Sequence, residues 1–193
     1  MPPSRSERPY EPPAPPPKPF AELSHALLAF HGGFPGNLKL DDRNQDLDHT
    51  LGFNLRADAP IATYVLLGPM LQIGSWRPDV TPGASHSYYV DLDLVLRLRA
   101  PITTPTFNYQ LWVGMPIGVS LDLLSNSAPY SNAGVGWNIG ALFGGAVHFS
   151  RKLGVFAELG WEQHRFAHER DSGADLDFKL QQLCTNLGII VRN

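Results

Sequence analysis

The chain has 193 residues, enough for one domain. Charged residues make up 17% of it, below the roughly 25% usual for a soluble domain, and a formal net charge of −3 offers no basic face for nucleic acid. The single cysteine, Cys184, excludes an internal disulfide, and no stretch supplies the run of about 20 apolar residues a membrane-spanning helix needs.

Nine of the 18 prolines fall in residues 1–19, which predicts an extended, unpacked Pro-rich segment over residues 1–20. It reads as a disordered tail, with a spacer or peptide-module ligand at Pro12–Pro17 as the sharper alternative. Met1–Pro19 contains no apolar signal-peptide core, which counts against an exported protein unless the chain is a mature or trimmed form. The folded domain is expected over residues 21–193.

From there the pattern is alternation of period two, which places successive side chains on opposite faces of a sheet. Glu22–His31, His49–Ala57 and Ile61–Trp76 read as the first three strands, with a bulge expected at Pro69. Tyr88–Arg99 is the clearest: Val90, Leu92, Leu94, Leu96 and Leu98 share one face, and Asp91, Asp93, Arg97 and Arg99 the other, with Val95 among them. Tyr109–Val119, Val135–Phe149, Val155–Trp161 and Leu183–Val191 repeat the alternation, giving eight strands.

The connections alternate in length as well. Asp58–Pro60 and Ser150–Lys152 read as short turns and Ala100–Thr106 as intermediate, whereas Gly32–Asp48, Arg77–Ser87, Leu121–Gly134 and Ala167–Asp175 are longer and polar. Short turns at one end and long loops at the other describe an up-and-down barrel in a membrane, with both termini on the turn side.

The polar face decides which way the strands look. Gly114, Gly118, Gly140, Gly144 and Gly188 recur on it, although glycine is a poor strand former, and this suggests a crowded interior rather than a wet exterior. Eight strands leave a lumen that side chains can fill. The expected fold is therefore all-β: an eight-stranded antiparallel transmembrane barrel whose apolar face meets lipid. Asp91, Asp93, Arg97, Arg99, Glu158, Glu162, His164 and Arg192 are expected to form a structural charge network inside it, because buried charges must pair. Trp76, Tyr88, Tyr89, Tyr109, Trp137 and Trp161, near the strand ends, are expected in an aromatic girdle.

Leu183–Arg192 and the Gly-rich Trp137–Phe149 resemble the small outer-membrane barrels of Gram-negative bacteria, the broad OmpA-like and opacity-like superfamily. The resemblance covers residues 21–193 as an architecture and is specific in the last third. It implies residence in the cell outer membrane, lipids as partners, a monomer, no enzymatic activity, and a structural or surface-recognition role carried by the loops 32–48, 77–87, 121–134 and 167–175. Family members usually finish on an aromatic residue; this chain finishes Val191-Arg192-Asn193.

Rival chemistries were weighed against this reading. A His-x-Ser pattern with a later Glu, at His148, Ser150 and Glu162, is similar to that of lipid A deacylases, but Ser150 lies in a turn far from Glu162; the second echo, Tyr130–Gly134, has Pro129 where the family has a histidine. His164 and His168 are four apart, a helical spacing without special meaning in a strand and loop. The seven histidines show no metal-ligand spacing, and Asp41, Asp42, Asp46 and Asp48 lack the regular calcium-loop spacing, so no metal or cofactor is expected. The alternative architecture is a soluble calycin-like barrel holding a small apolar ligand, since Gly74-Ser75-Trp76 resembles the Gly-x-Trp of lipocalins.

Overall fold

The computed structural model describes residues 23–40, 43–77, 86–104, 107–125, 133–169 and 175–193. The expected Pro-rich segment 1–20 lies outside the described residues. The described chain is all strand: β1 (His25–Gly33), β2 (Gly36–Leu40), β3 (Arg43–Leu47), β4 (Thr50–Ala62), β5 (Val65–Trp76), β6 (Ser87–Thr103), β7 (Asn108–Leu123), β8 (Ala133–His148), β9 (Leu153–Glu169) and β10 (Asp175–Arg192).

Eight of these close into a ring. β1 pairs antiparallel with β4, each later strand pairs with the next, and β10 returns to β1 in a register running from His25↔Arg192 to Gly33↔Cys184. Closure leaves no sheet edge among the eight, so their backbone polar groups can be satisfied without water.

The side chains follow the period-two prediction, and their burial fixes its sense. On β6, Leu92, Leu94, Leu96 and Leu98 are 38–58% exposed, whereas Asp91, Asp93, Arg97 and Arg99 are at most 5% exposed. The same inversion holds on β4, where Phe53 and Leu55 face out and Asn54, Arg56 and Asp58 face in. Aliphatic residues outside and charges inside suit lipid around the barrel; a soluble calycin-like barrel would have the opposite arrangement. No helix among the described residues is long and apolar enough to cross a membrane; the strands cross it.

The connections at one end are tight, and short bonds hold them. The Thr63-Tyr64 turn is tied to β6 by Arg99 N donating to the Tyr64 carbonyl, 2.8 Å. Thr104 Oγ1 donates to the Phe107 carbonyl, 2.7 Å, and Ser150 Oγ accepts from Leu153 N, 3.0 Å. Ser24 and Asn193 exchange two backbone bonds at this same end, as expected for the two ends of the folded domain.

Four boundaries differ from expectation. Asp58–Pro60 is strand, not turn: Ala59 pairs with Leu67 and Pro60 with Leu66, and the chain reverses at Thr63-Tyr64. The bulge falls at Pro60/Ala62 rather than at Pro69, which faces out and keeps one register with Leu94 of β6. Much of the expected Gly32–Asp48 loop is the β2–β3 hairpin, because Leu38 and Leu47 continue the inward face. β9 likewise runs to Glu169 and pairs with Asp175 of β10, so Ala167–Asp175 is largely ladder.

The extra pairing builds one tall side. β2 pairs with Phe178–Gln181 of β10 beyond the end of β1. On β9 the outward face is apolar from Leu153 to Trp161 and then turns to Arg165 and Glu169; on β10 Leu183–Val191 gives way to Lys179 and Asp177. Nine residues of tilted strand match an apolar band about 25 Å tall, so the polar continuation stands beyond the bilayer on the long-loop side.

Candidate functional site

The enclosed lumen is where this chain gathers its chemistry, and it is filled in layers. Nearest the turns, His25 pairs across strands with both Asp58 and Arg192, while Arg97 forms a buried ion pair with Asp58. Arg99 Nε donates to the Thr63 carbonyl, 3.1 Å. The Arg97 guanidinium also lies 4.9 Å over the Trp112 ring, a cation–π contact in a site stripped of water.

Above this layer stands a fully buried bidentate pair. Arg56 Nη1 and Nη2 donate to the two Glu158 oxygens at 3.0 and 2.8 Å, and both side chains are inaccessible. Trp112 Nε1 and Asn186 Nδ2 add donors to the same carboxylate at 2.7 and 3.0 Å. Four donors around one carboxylate offset much of the desolvation penalty that makes buried ion pairs costly. Glycine provides the space: a Cβ on Gly144 would lie 2.6 Å from Glu158 Cγ, and one on Gly114 would lie 3.0 Å from Arg97 Cγ. The repeated glycines of the inward face thus make room for charged side chains from the strand opposite.

The loop-side half is composed differently. Glu162 accepts from Gln72 Nε2 at 3.1 Å and from Gln182 Nε2, and two histidines approach it: His31 Nε2 at 3.3 Å and His164 Nε2 at 3.6 Å from Oε1. Asp91 accepts from Ser120 Oγ and lies 3.5 Å from His164 Nδ1. Asp93 is buried nearby. Higher still, Asp122 accepts from Trp76 Nε1 at 2.8 Å and bonds His168 Nε2 at 3.0 Å. Leu38, Leu47, Trp76, Tyr89, Phe166, Phe178 and Leu180 form a buried apolar cluster at this end of the barrel.

All eight residues expected to line the interior are buried there: Asp91, Asp93, Arg97, Arg99, Glu158, Glu162, His164 and Arg192. Sequence reasoning missed Arg56, Asp58, His25 and His31 around them, and Asp122 beside Trp76 and His168. The signal was present, since each sits at even spacing opposite residues such as Leu55, Ala57, Leu28 and Phe30. His164 and His168 share the inward face because β9 does not end between them, so their spacing of four does have a consequence. Two of the six residues expected in the girdle turn inward instead. Trp76 is 2% exposed and Tyr89 is inaccessible, since adjacent residues such as Tyr88 and Tyr89 cannot both face lipid. Tyr88, Trp137 and Trp161 face outward, and Tyr109 is half-buried.

The hydrolase-like residues are kept apart. His148 pairs with Gly154 at the turn end of β9, eight residues of strand from Glu162, and Ser150 Oγ caps its own turn by accepting from Lys152 N and Leu153 N. Of the second echo, Tyr130, Ser131 and Asn132 lie outside the described residues, as do Asp41 and Asp42 of the acidic loop.

No protein-family model matches the sequence, and no curated protein matches it. Solved structures do. The outer membrane protein OprG from Pseudomonas aeruginosa superposes with a TM-score of 0.61 at 11% identity, covering 90% of this chain and 96% of that one. Looser superpositions, carrying no weight of their own, are on Neisserial surface protein A at 0.46 and 9% identity, covering 86% and 96%, and on Ail of Yersinia pestis at 0.44 and 13%, covering 89% and 99%. At such identities the likeness establishes fold alone. The chain has the fold of the eight-stranded outer-membrane β-barrels, and its outward aliphatic band with an enclosed polar lumen is the arrangement of an integral membrane protein of that class.

Proposed function

We propose that this protein works in the cell outer membrane as a monomeric, non-conducting barrel. Its lumen is a structural plug, and its loop-side rim is the part offered for surface recognition. It carries out no catalysis in this reading. The observation that supports it is the succession of buried groups along the interior: the Asp58–Arg97 pair, then the Arg56–Glu158 pair, then the Glu162 and Asp91 groups, then the apolar cluster around Trp76 and Phe178. An open pore would need a water-lined path through all four levels. The tall β2–β3 and β9–β10 side, with Lys39, Lys179 and Arg165 on its outer face, supplies a rigid polar surface beyond the bilayer for a partner. Tyr88, Tyr109, Trp137 and Trp161 then serve as interfacial anchors, with the Arg165 guanidinium 5.4 Å over the Trp137 ring at the loop-side boundary.

Planar-bilayer recording of the refolded protein tests this reading. The expected result is no stable unitary conductance for the native chain or for Arg97→Met. Reproducible conductance steps from the native protein would contradict it.

A further inference from the structure

Three strands bring together, inside the loop-side half of the lumen, a set of groups that their sequence spacing conceals. His31 of β1, Glu162 of β9 and Cys184 of β10 are all buried, and their ligand-type atoms lie within 4.8 Å of one another. His164 Nε2, on β9, lies 3.6 Å from the same Glu162 oxygen that His31 Nε2 approaches at 3.3 Å. Roughly 3.3–3.8 Å separates neighbouring ligand atoms around a tetrahedral zinc ion, by its bond lengths of about 2.0–2.3 Å. The two histidine–glutamate separations therefore already fall close to that spacing.

The histidines are also oriented as metal ligands are. In each, Nδ1 faces an oxygen acceptor: Asn186 Oδ1 at 2.9 Å for His31 and Asp91 Oδ1 at 3.5 Å for His164. The His31 bond fixes the tautomer that leaves its Nε2 free to ligate; at His164 the Asp91 oxygen is near but outside hydrogen-bond geometry. Both Nε2 atoms are buried and lack a partner with hydrogen-bond geometry. Gly160, paired with Cys184, keeps the thiol unobstructed; a Cβ there would lie 3.2 Å from Sγ.

Charge points the same way. The buried arginines among the described residues, Arg56, Arg97, Arg99 and Arg192, lie in the turn-side half, while Asp91, Asp93, Asp122 and Glu162 lie in the loop-side half with no buried Arg or Lys among them. A buried carboxylate without a guanidinium takes up a proton, faces a protonated histidine or holds a metal cation, and here the histidines that face Glu162 are themselves metal-ligand types.

The geometry points to a lumenal site for a zinc-like divalent transition metal, held by His31 Nε2, Glu162 Oε1 and Cys184 Sγ, with His164 Nε2 beside the same Glu162 oxygen. A thiolate and imidazoles favour such an ion over calcium or magnesium. The Cys184 thiol loses its proton on binding and forms the metal–sulfur bond; no oxidant or reductant is required.

Cobalt(II) is a suitable probe, supplied during detergent refolding so that entry into the closed lumen does not limit loading. The expected result is one cobalt per chain, a thiolate-to-cobalt charge-transfer band, and displacement by one equivalent of zinc. Cys184→Ser should remove the band and Glu162→Gln should weaken zinc binding at least tenfold. Heat-modifiable migration in SDS gels verifies that each variant is folded. A native folded barrel with no stoichiometric cobalt, or zinc affinity unchanged in folded Cys184→Ser, overturns the assignment.

Discussion

The two halves of the lumen handle buried charge in opposite ways. On the turn side, fixed cations meet carboxylates directly: Arg56 grips Glu158 with both nitrogens, and Arg97 pairs with Asp58. On the loop side, Glu162, Asp91 and Asp122 meet histidines, amides and a hydroxyl, none of them permanently charged. A guanidinium fork is always charged and geometrically rigid, so the turn-side half forms a permanent cross-brace between β4 and β9. Imidazoles can be neutral or charged and can ligate, so the loop-side half can accept a cation from outside. One barrel thus contains a structural segment and a segment able to respond to ligand.

Removing one partner from each half separates them. Arg56→Ala strands Glu158 in the lumen and should cost about 3–5 kcal/mol, the range for breaking a buried pair by deleting one member. Denaturant-driven unfolding in lipid vesicles measures it. Glu162→Gln in metal-free protein should cost less, about 1–3 kcal/mol, because its amide oxygen still accepts from one of Gln72 and Gln182, which donate to different Glu162 oxygens, and no permanent charge is left unpaired. Equal losses would mean that the halves do not differ. Gly144→Ala tests the crowding beside the turn-side brace and should cost about 1–3 kcal/mol by overpacking against Glu158.

The smallest effect lies at the loop-side rim. Asp48 accepts from the His49 backbone N–H at 2.7 Å and from the Arg77 side chain, and these bonds hold its carboxyl below the ordinary value of 3.8. A carboxylate whose folded pKa is depressed adds stability above its unfolded pKa and loses it as pH falls through the lower folded value. Asp48→Asn should therefore be slightly less stable than the native chain at neutral pH, with the gap closing below about pH 4. A gap that persists in more acidic solution would place the effect elsewhere.

Legibility in the sequence followed the same division. β6 was readable because five aliphatic residues alternate with four charges, and only a two-sided sheet arranges them so. Residues 32–48 carry the polarity of a loop and the pairing of a hairpin: in β2 and β3 the alternation persists in Leu38 and Leu47, while the outer face is polar. Trp76 and Tyr89 were misplaced because nearness to a strand end says nothing about which face a residue occupies; parity does. The His31, Glu162 and Cys184 grouping was invisible in principle, since ligands from three strands have no fixed spacing until the ring closes β1 onto β10.

The barrel's integral place in the membrane depends on which face of its strands meets acyl chains. Single-tryptophan variants reconstituted in vesicles with brominated acyl chains test it, because bromine quenches only indoles in contact with it. Trp137 and Trp161, 43% and 38% exposed, should be strongly quenched, while Trp76 and Trp112, each 2% exposed, should not. Quenching of Trp76 and Trp112 with Trp137 and Trp161 spared would contradict the barrel described.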